Sequence, residues 1–300
     1  MRKGQLIAIG ILCGLLAAAA GTAQETSPTH PQRSEEERRA LIDHAVDNQK
    51  RNDAALEVYE RIERTETRKN AGDAAPAEVK VFRVVPAGTG TDRIPLGLDA
   101  RPADDAAYHK ELEKLVRALE WAAKSGRAQR DAYEKIAKKQ KERNELIGAT
   151  RTAFLYTWVA DEPRGDRILS KYRMEPNPAY KPASRATSIF MKVRGHVWID
   201  EADAELARVE AEVTDDVSFG GFLAKVYKGS HFMQERYEMA PGIWLPSFSQ
   251  YDFDGRKLFL SFGVHERTYS SQYRRIGPPK EALAVIRAEL NKSSADNADP

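Results

Sequence analysis

Beyond its first 23 residues this chain has no cysteine, no excess of either charge and no apolar run long enough to span a bilayer, which takes ~20 residues. Cys13 is the only thiol, and Arg2 and Lys3 account for the whole surplus of 47 basic over 45 acidic side chains. The body therefore holds no disulfide framework, no Cys-ligated zinc or iron–sulfur site, no cysteine nucleophile and no thioredoxin-like motif. Balanced charge argues against a general nucleic-acid binder, because neutralising phosphates takes a surplus of Lys and Arg. Catalytic patterns are scarce as well. There is no H-E-x-x-H and no G-x-S-x-G, and Gly88-Thr89-Gly90 leads to Pro95 instead of opening a helix, so it fails as a phosphate loop. His30, His44, His109, His196, His231 and His265 lack metal-ligand spacing, although a sheet could gather His196, His231 and His265 from three strands. Asp252-Phe253-Asp254-Gly255 begins like a calcium loop without the downstream acid and reads as a hairpin turn. Asp104-Asp105 and Asp215-Asp216 read as capping and turn residues. The expectation is no metal, no cofactor and no catalytic residue.

What is present begins with an export signal. Met1-Arg2-Lys3 precedes an apolar stretch from Gln5 to Ala20, and Gly21-Thr22-Ala23 offers a cleavage site after Ala23. Residues 1–23 are thus expected to be a signal peptide, which places the remainder in the periplasm or outside the cell. Leu12 and Ile11 before Cys13 do not suit lipidation. With 41% hydrophobic and 31% charged residues the rest is globular, of a length for one large domain or two small ones.

Residues 24–34 read as a flexible leader containing Pro28 and Pro31. Ser34 before Glu35-Glu36-Glu37 is an N-cap with acids in the first turn, and Leu41, Ile42, Ala45 and Val46 make an apolar stripe, giving a helix over 35–50 that Asn52-Asp53 ends. Strands follow over 56–67 and 79–85, then a turn-rich loop from Gly88 to Pro102. Over about 103–149 the period becomes helical, with Tyr108, Leu112, Leu115 and Leu119 on one side and dense charge elsewhere; Ser125-Gly126 marks a kink or a hairpin. Lys135, Lys138, Lys139, Lys141 and Arg143 are interleaved with Glu134, Glu142 and Glu145, as on a solvated helix face. From Phe154 onward strand follows strand at hairpin spacing. Residues 206–213 alternate, with Ala207, Val209, Ala211 and Val213 on one face, and Leu258, Leu260, Phe262 and Val264 share a face further on. A short helix and a polar tail occupy 277–300.

This order predicts an α+β fold: a curled antiparallel sheet of roughly eight to eleven strands, an unclosed half β-barrel, capped by helices and carrying a long charged helical insertion. Residues 35–276 form that domain. Its concave side collects aromatic and aliphatic side chains, which either fill a core or line a ligand cavity. The candidates for the lining are Phe154, Tyr156, Trp158, Val197, Ile199, Val209, Leu258, Leu260 and Phe262, with the inward parity left open by alternation alone. Trp198 and Trp244 read as structural plugs.

Gly195-His196-Val197-Trp198-Ile199-Asp200, a turn, and Leu206-Ala207-Arg208-Val209-Glu210 form a hairpin that resembles one in the LolA/LolB-like, outer-membrane lipoprotein-sorting-like superfamily of bacterial envelope proteins. Gly242-Ile243-Trp244-Leu245-Pro246 and the closing Tyr273-Arg274-Arg275 resemble the end of its uncharacterised branch. The resemblance is closest over 154–276 and looser over 35–150, where the charged insertion departs from the compact carriers. It implies a half-barrel whose apolar interior accepts acyl chains, and hence a periplasmic carrier or binder of a lipid, a lipidated protein or another apolar ligand, with no enzyme activity. The alternative is an envelope interaction or sensory module that docks a protein partner through 104–148 and has no cavity. A hydrolase stands third.

Overall fold

The computed structural model describes residues 33–219, 224–258 and 260–296. The expected signal peptide and most of the leader lie outside the described residues. Helix α1 runs Glu35–Ala55. Its start is a capping box: the Ser34 hydroxyl accepts from the Glu37 amide at 3.2 Å, and the Ser34 amide donates to the Glu37 carboxylate at 2.7 Å. The helix continues past its expected end because Asn52 and Asp53 are buried and spend their side chains elsewhere. Asn52 donates to Glu205 at 2.7 Å and accepts from the Trp244 amide at 3.2 Å; Asp53 accepts from Gln140 at 3.0 Å and Arg143 at 2.9 Å. Side chains so engaged no longer compete for their own backbone, which is how Asn and Asp break helices.

Strands β1 (Tyr59–Arg68), β2 (Glu78–Pro86) and β3 (Thr91–Leu96) form an antiparallel meander. The last arises inside the segment read as a loop. Pro95 is tolerated because β3 is an edge strand, where a missing donor breaks no ladder bond. Helices α2 (Asp105–Ala123) and α3 (Arg127–Ala153) resolve the insertion as two helices separated at Ser125-Gly126, and Asp104 caps the first by accepting from the Ala107 amide at 2.8 Å.

The second meander opens with β4 (Phe154–Arg164), β5 (Arg167–Pro176), β6 (Val193–Asp200) and β7 (Glu205–Val213). A small ribbon of β8 (Val217–Phe219) and β9 (Ala224–Val226) interrupts it. The meander then resumes with β10 (His231–Ala240), β11 (Ile243–Lys257) and β12 (Leu260–Arg275), and β9 pairs onto the far end of β11. Pairing of β1 with β12 fuses the two meanders into one 12-stranded antiparallel sheet, ordered β3-β2-β1-β12-β11-β10-β7-β6-β5-β4, with β9 beside β11. The order leaves β3 and β4 as free edges, so the sheet is not closed into a barrel. Helix α4 (Pro279–Asp296) follows.

At two further places the chain departs from its local pattern. Asp252-Phe253-Asp254-Gly255 is not a turn. Strand β11 runs through it to Lys257, and Gly255 sits where a Cβ would stand 2.2 Å from the Lys225 carbonyl oxygen and 2.8 Å from the Phe262 ring. Ala207 also parts from Val209. A bulge where Trp198 pairs with Arg208 but Ile199 pairs with Leu206 reverses the local alternation, so Leu206 takes the cavity side while Ala207 packs with Leu169, Trp198 and Trp244.

The described residues hold two main cores. One gathers α1 (Leu41, Ile42, Ala45, Val46) onto Phe154, Tyr172, Met174, Val197 and Ile199. In the other, Leu112, Leu115 and Leu119 of α2 meet Ala282 and Ile286 of α4 over Val85 and Ile94. Helix α2 is therefore integral to the fold, not an appendage.

Gly195 is the tightest backbone approach in the sheet, since a Cβ there would stand 1.9 Å from the Glu210 carbonyl oxygen of β7. Gly195→Ala is expected to force β6 and β7 apart and cost about 2 kcal/mol, as overpacking does. Urea unfolding checks this; an unchanged midpoint contradicts the packing described.

Candidate apolar cavity beneath the first helix

Between α1 and the inner face of the sheet lies a cavity of about 420 Å³. Helix α1 supplies its roof through Ile42, Ala45, Val46 and Gln49, residues three and four apart and so on one side of the helix. The floor comes from Phe154 and Tyr156 of β4, Met174 of β5, Val197 and Ile199 of β6, and Leu206, Val209 and Ala211 of β7. Ile147 and Thr150 at the end of α3 close one side with Ile189 and Phe190, and Phe232 and Phe253 reach in from β10 and β11. Phe190 and Phe154 meet edge to face at 5.3 Å between ring centres, a geometry aromatic pairs prefer.

Of the residues proposed from sequence, the structure brings Phe154, Tyr156, Val197, Ile199 and Val209 around this cavity. Trp158, Leu258, Leu260 and Phe262 are not among its walls. Trp158 stands on edge strand β4 opposite the fully buried Tyr172, is 37% exposed, and donates its indole N–H to Asp161 at 3.0 Å. Leu258 falls in the β11–β12 turn with φ +56, and Leu260 beside it is 77% exposed. Phe262 lies over Gly255, filling the space that this residue leaves. These last three belong to a hairpin whose tip falls later than Asp252-Phe253-Asp254-Gly255 suggested, so their shared face is spent at its end. Gln49, Met174, Phe190 and Phe232 line the cavity without being among the residues expected there; the stripe of α1, continued by one step, points to the first.

The few polar groups at the cavity are mostly engaged. The Tyr156 hydroxyl donates to the Thr150 carbonyl at 3.0 Å, and the Thr150 hydroxyl donates to the Ile147 carbonyl at 2.6 Å. Burial raises the Tyr156 phenol well above its ordinary value, keeping it neutral. Beyond Gln49 the end of α1 is clamped to the sheet. Arg51 and Asn52 both bind the Glu205 carboxylate, at 2.5 and 2.7 Å, and Asn52 also takes the Trp244 amide. Burial pushes the Glu205 carboxyl up to about 7 against the pull of Arg51 and Asn52. Nearby, burial pushes the Arg236 guanidinium down to about 10, which leaves it charged at neutral pH; it donates to the Gln234 side chain and to the Trp244 carbonyl.

His196, His231 and His265 do not all meet at one place. His196 and His231 border a separate hollow beside Glu210, whereas His265 is buried between Asp252 at 3.3 Å and Asp254 at 3.4 Å. Among the described residues no group of three or more His, Cys, Asp or Glu is placed to hold a metal, and no helix is long and apolar enough to cross a membrane.

No protein-family model matches the chain, and no curated protein matches it. Among solved structures it is similar to a LolA superfamily protein from Nitrosomonas europaea, at 10% identity and a TM-score of 0.30, over 81% of this chain and 96% of the other. It is also similar to an outer membrane lipoprotein-sorting protein domain, described as putative, from Vibrio parahaemolyticus, at 11% identity and a TM-score of 0.30, over 82% and 99%. A DUF1329 family protein from Desulfovibrio piger matches at 10% identity and a TM-score of 0.26, over 79% and 92%.

The Glu205 carboxyl gives a test of the clamp. Its folded value lies above the ordinary 4.5, so its contribution to stability is full below about 4.5 and is lost as pH rises toward 7. Glu205→Gln stays neutral throughout. The stability of Glu205→Gln relative to wild type, from urea unfolding at successive pH values, is expected to rise between pH 5 and 8; a flat difference contradicts the burial.

Proposed function

We propose that the protein binds a lipid, a lipidated protein or another apolar ligand in the cell envelope, with the ligand's chain in the cavity beneath α1. The observation that carries this is the cavity itself: about 420 Å³, within the range of small-molecule sites and walled almost wholly by aliphatic and aromatic side chains. An acyl chain leaving water gains ~0.8 kcal/mol for each methylene buried, so such a space attracts one without help from a charged or catalytic group. Among the described residues the walls offer no nucleophile paired with a base, which suits binding and not turnover. The envelope location rests on the export signal read in residues 1–23. The cavity is a single space of modest volume, and it suits one chain at a time.

Val209 lies on the cavity floor, opposite Val197 across the β6–β7 ladder. Val209→Trp is expected to fill part of the cavity and weaken binding of a fluorescent C16 fatty acid by about tenfold or more with the far-UV spectrum unchanged, because the indole occupies space that the ligand chain would take. Native mass spectrometry of the purified protein is expected to show copurifying lipid. Lipid-free protein that takes up no probe would sink the proposal.

A further inference from the structure

We infer that the free edge of β4 pairs antiparallel with the β4 edge of a second copy of this chain, so that two sheets run on as one. The surface is apart from the cavity, and the inference does not depend on what the cavity holds. Among the described residues β3 and β4 end the strand order, and an end strand presents unpaired backbone N–H and C=O groups. Sheets guard such edges with short strands, charge and proline. Strand β3 has all three, since it spans only Thr91–Leu96 and carries Asp92, Arg93 and Pro95. Strand β4 has charge and proline only at its far end, in Asp161-Glu162-Pro163-Arg164. From Phe154 to Ala160 it has neither, and Leu155, Trp158 and Val159 are 51%, 37% and 44% exposed. The bulge at Val159 leaves that residue without a partner on β5 and does not hide it.

A second copy suits this edge. Thr157 is the midpoint of the uncharged stretch, so centring the stretch on its own copy sets Thr157 opposite itself and Leu155 opposite Val159, apolar against apolar. A two-fold axis through the sheet makes that contact at both ends at once. The charges agree with this direction. Leu155 borders a hollow walled also by Arg38, Arg39 and Arg151, with Glu35 and Asp43. Arg151 is neutralised by Asp43 and Asp47, and Arg38 donates to the Arg33 carbonyl, whereas Arg39 is exposed and has no acidic partner among the described residues. At the other end the Asp161 carboxylate accepts only from neutral groups, the Trp158 indole at 3.0 Å and the Ser170 hydroxyl at 2.6 Å. Antiparallel pairing brings the Asp161 end of each strand to the Arg39 end of the other; parallel pairing leaves like charge beside like. One short stretch of edge buries little area, so the dimer is a weak one that dissociates on dilution.

Position 157 gives the first test. In a Cys13→Ser background, which removes the single thiol of the chain, Thr157→Cys is expected to form a disulfide-linked dimer under mild oxidation. Residues directly opposed in an antiparallel pair stand about 4.5–5.5 Å apart at Cα, within reach of a disulfide. Leu98→Cys, in the exposed segment before α2, is expected to stay monomeric. No dimer through position 157, or equal cross-linking at both positions, overturns the inference. Sedimentation equilibrium gives the second test. Wild type is expected to double in mass as concentration rises, and Leu155→Lys and Val159→Glu are each expected to weaken association by about tenfold or more. The two changes together are expected to restore it, because each new cation then faces an acid on the other copy. A wild type that stays monomeric at every concentration, a dimer indifferent to both single changes, or a double variant no better than either single one overturns the inference.

Discussion

A twelve-stranded sheet presents an apolar inner face wider than one helix can cover, and the rest of the molecule follows from how that face is hidden from water. A helix is about 10 Å across, and strands lie about 4.8 Å apart, so a single helix shields little more than two of them. The chain answers with separate covers. Helix α1 lies over the β4–β7 side, and α2 with α4 lies over β2 and β3. Each makes its own core. The cavity belongs to the first cover, where α1 presents two small or short-branched residues, Ala45 and Val46, to the sheet.

The division of labour also explains the charged insertion. Its first helix is a core element, with Leu112, Leu115 and Leu119 essentially inaccessible. Its second has only Ala153 buried, and serves α1 through Arg143 and Gln140, which hold Asp53, and through Arg151, which pairs with Asp43 and Asp47. The dense charge of 127–151 thus follows from a helix that braces another helix from outside while most of its surface meets solvent.

Much of the architecture was legible in the sequence. The capping box at Ser34, the heptad-like leucines of α2, the break at Ser125-Gly126 and the β-branched strands each depend on local physics, and local physics is written in neighbouring residues. The misreadings share a cause of the opposite kind. Asn52 and Asp53 look like a helix end until Glu205, Trp244 and α3 are known to hold them. Asp252-Phe253-Asp254-Gly255 looks like a turn until Lys225 and Phe262 are seen packed against Gly255. Ala207 looks like a partner of Val209 until the bulge is placed. In each, residues distant in sequence override the local preference, and alternation by itself carries no trace of a one-residue slip. The same limit governed the cavity. Phe154, Tyr156, Val197, Ile199 and Val209 come together there, while Leu258 and Leu260 shared their character but sat at the tip of a hairpin.

The pairing of β1 with β12 joins Tyr59 to Arg275 across nearly the whole described chain. Such a contact closes a very long loop, and ordering so much chain before a ladder bond forms slows folding. Strands β1 to β3 remain a narrow three-stranded ribbon until the last strand arrives, and α2 lacks α4 to pack against until later still. The β1–β3 side of the sheet and its cover therefore wait for the C-terminal strand and helix. The core beneath α2 is thus the part of the described chain that needs both of its ends, since Leu112 and Ile286 must be present together, whereas the core beneath α1 is complete within residues 41–211.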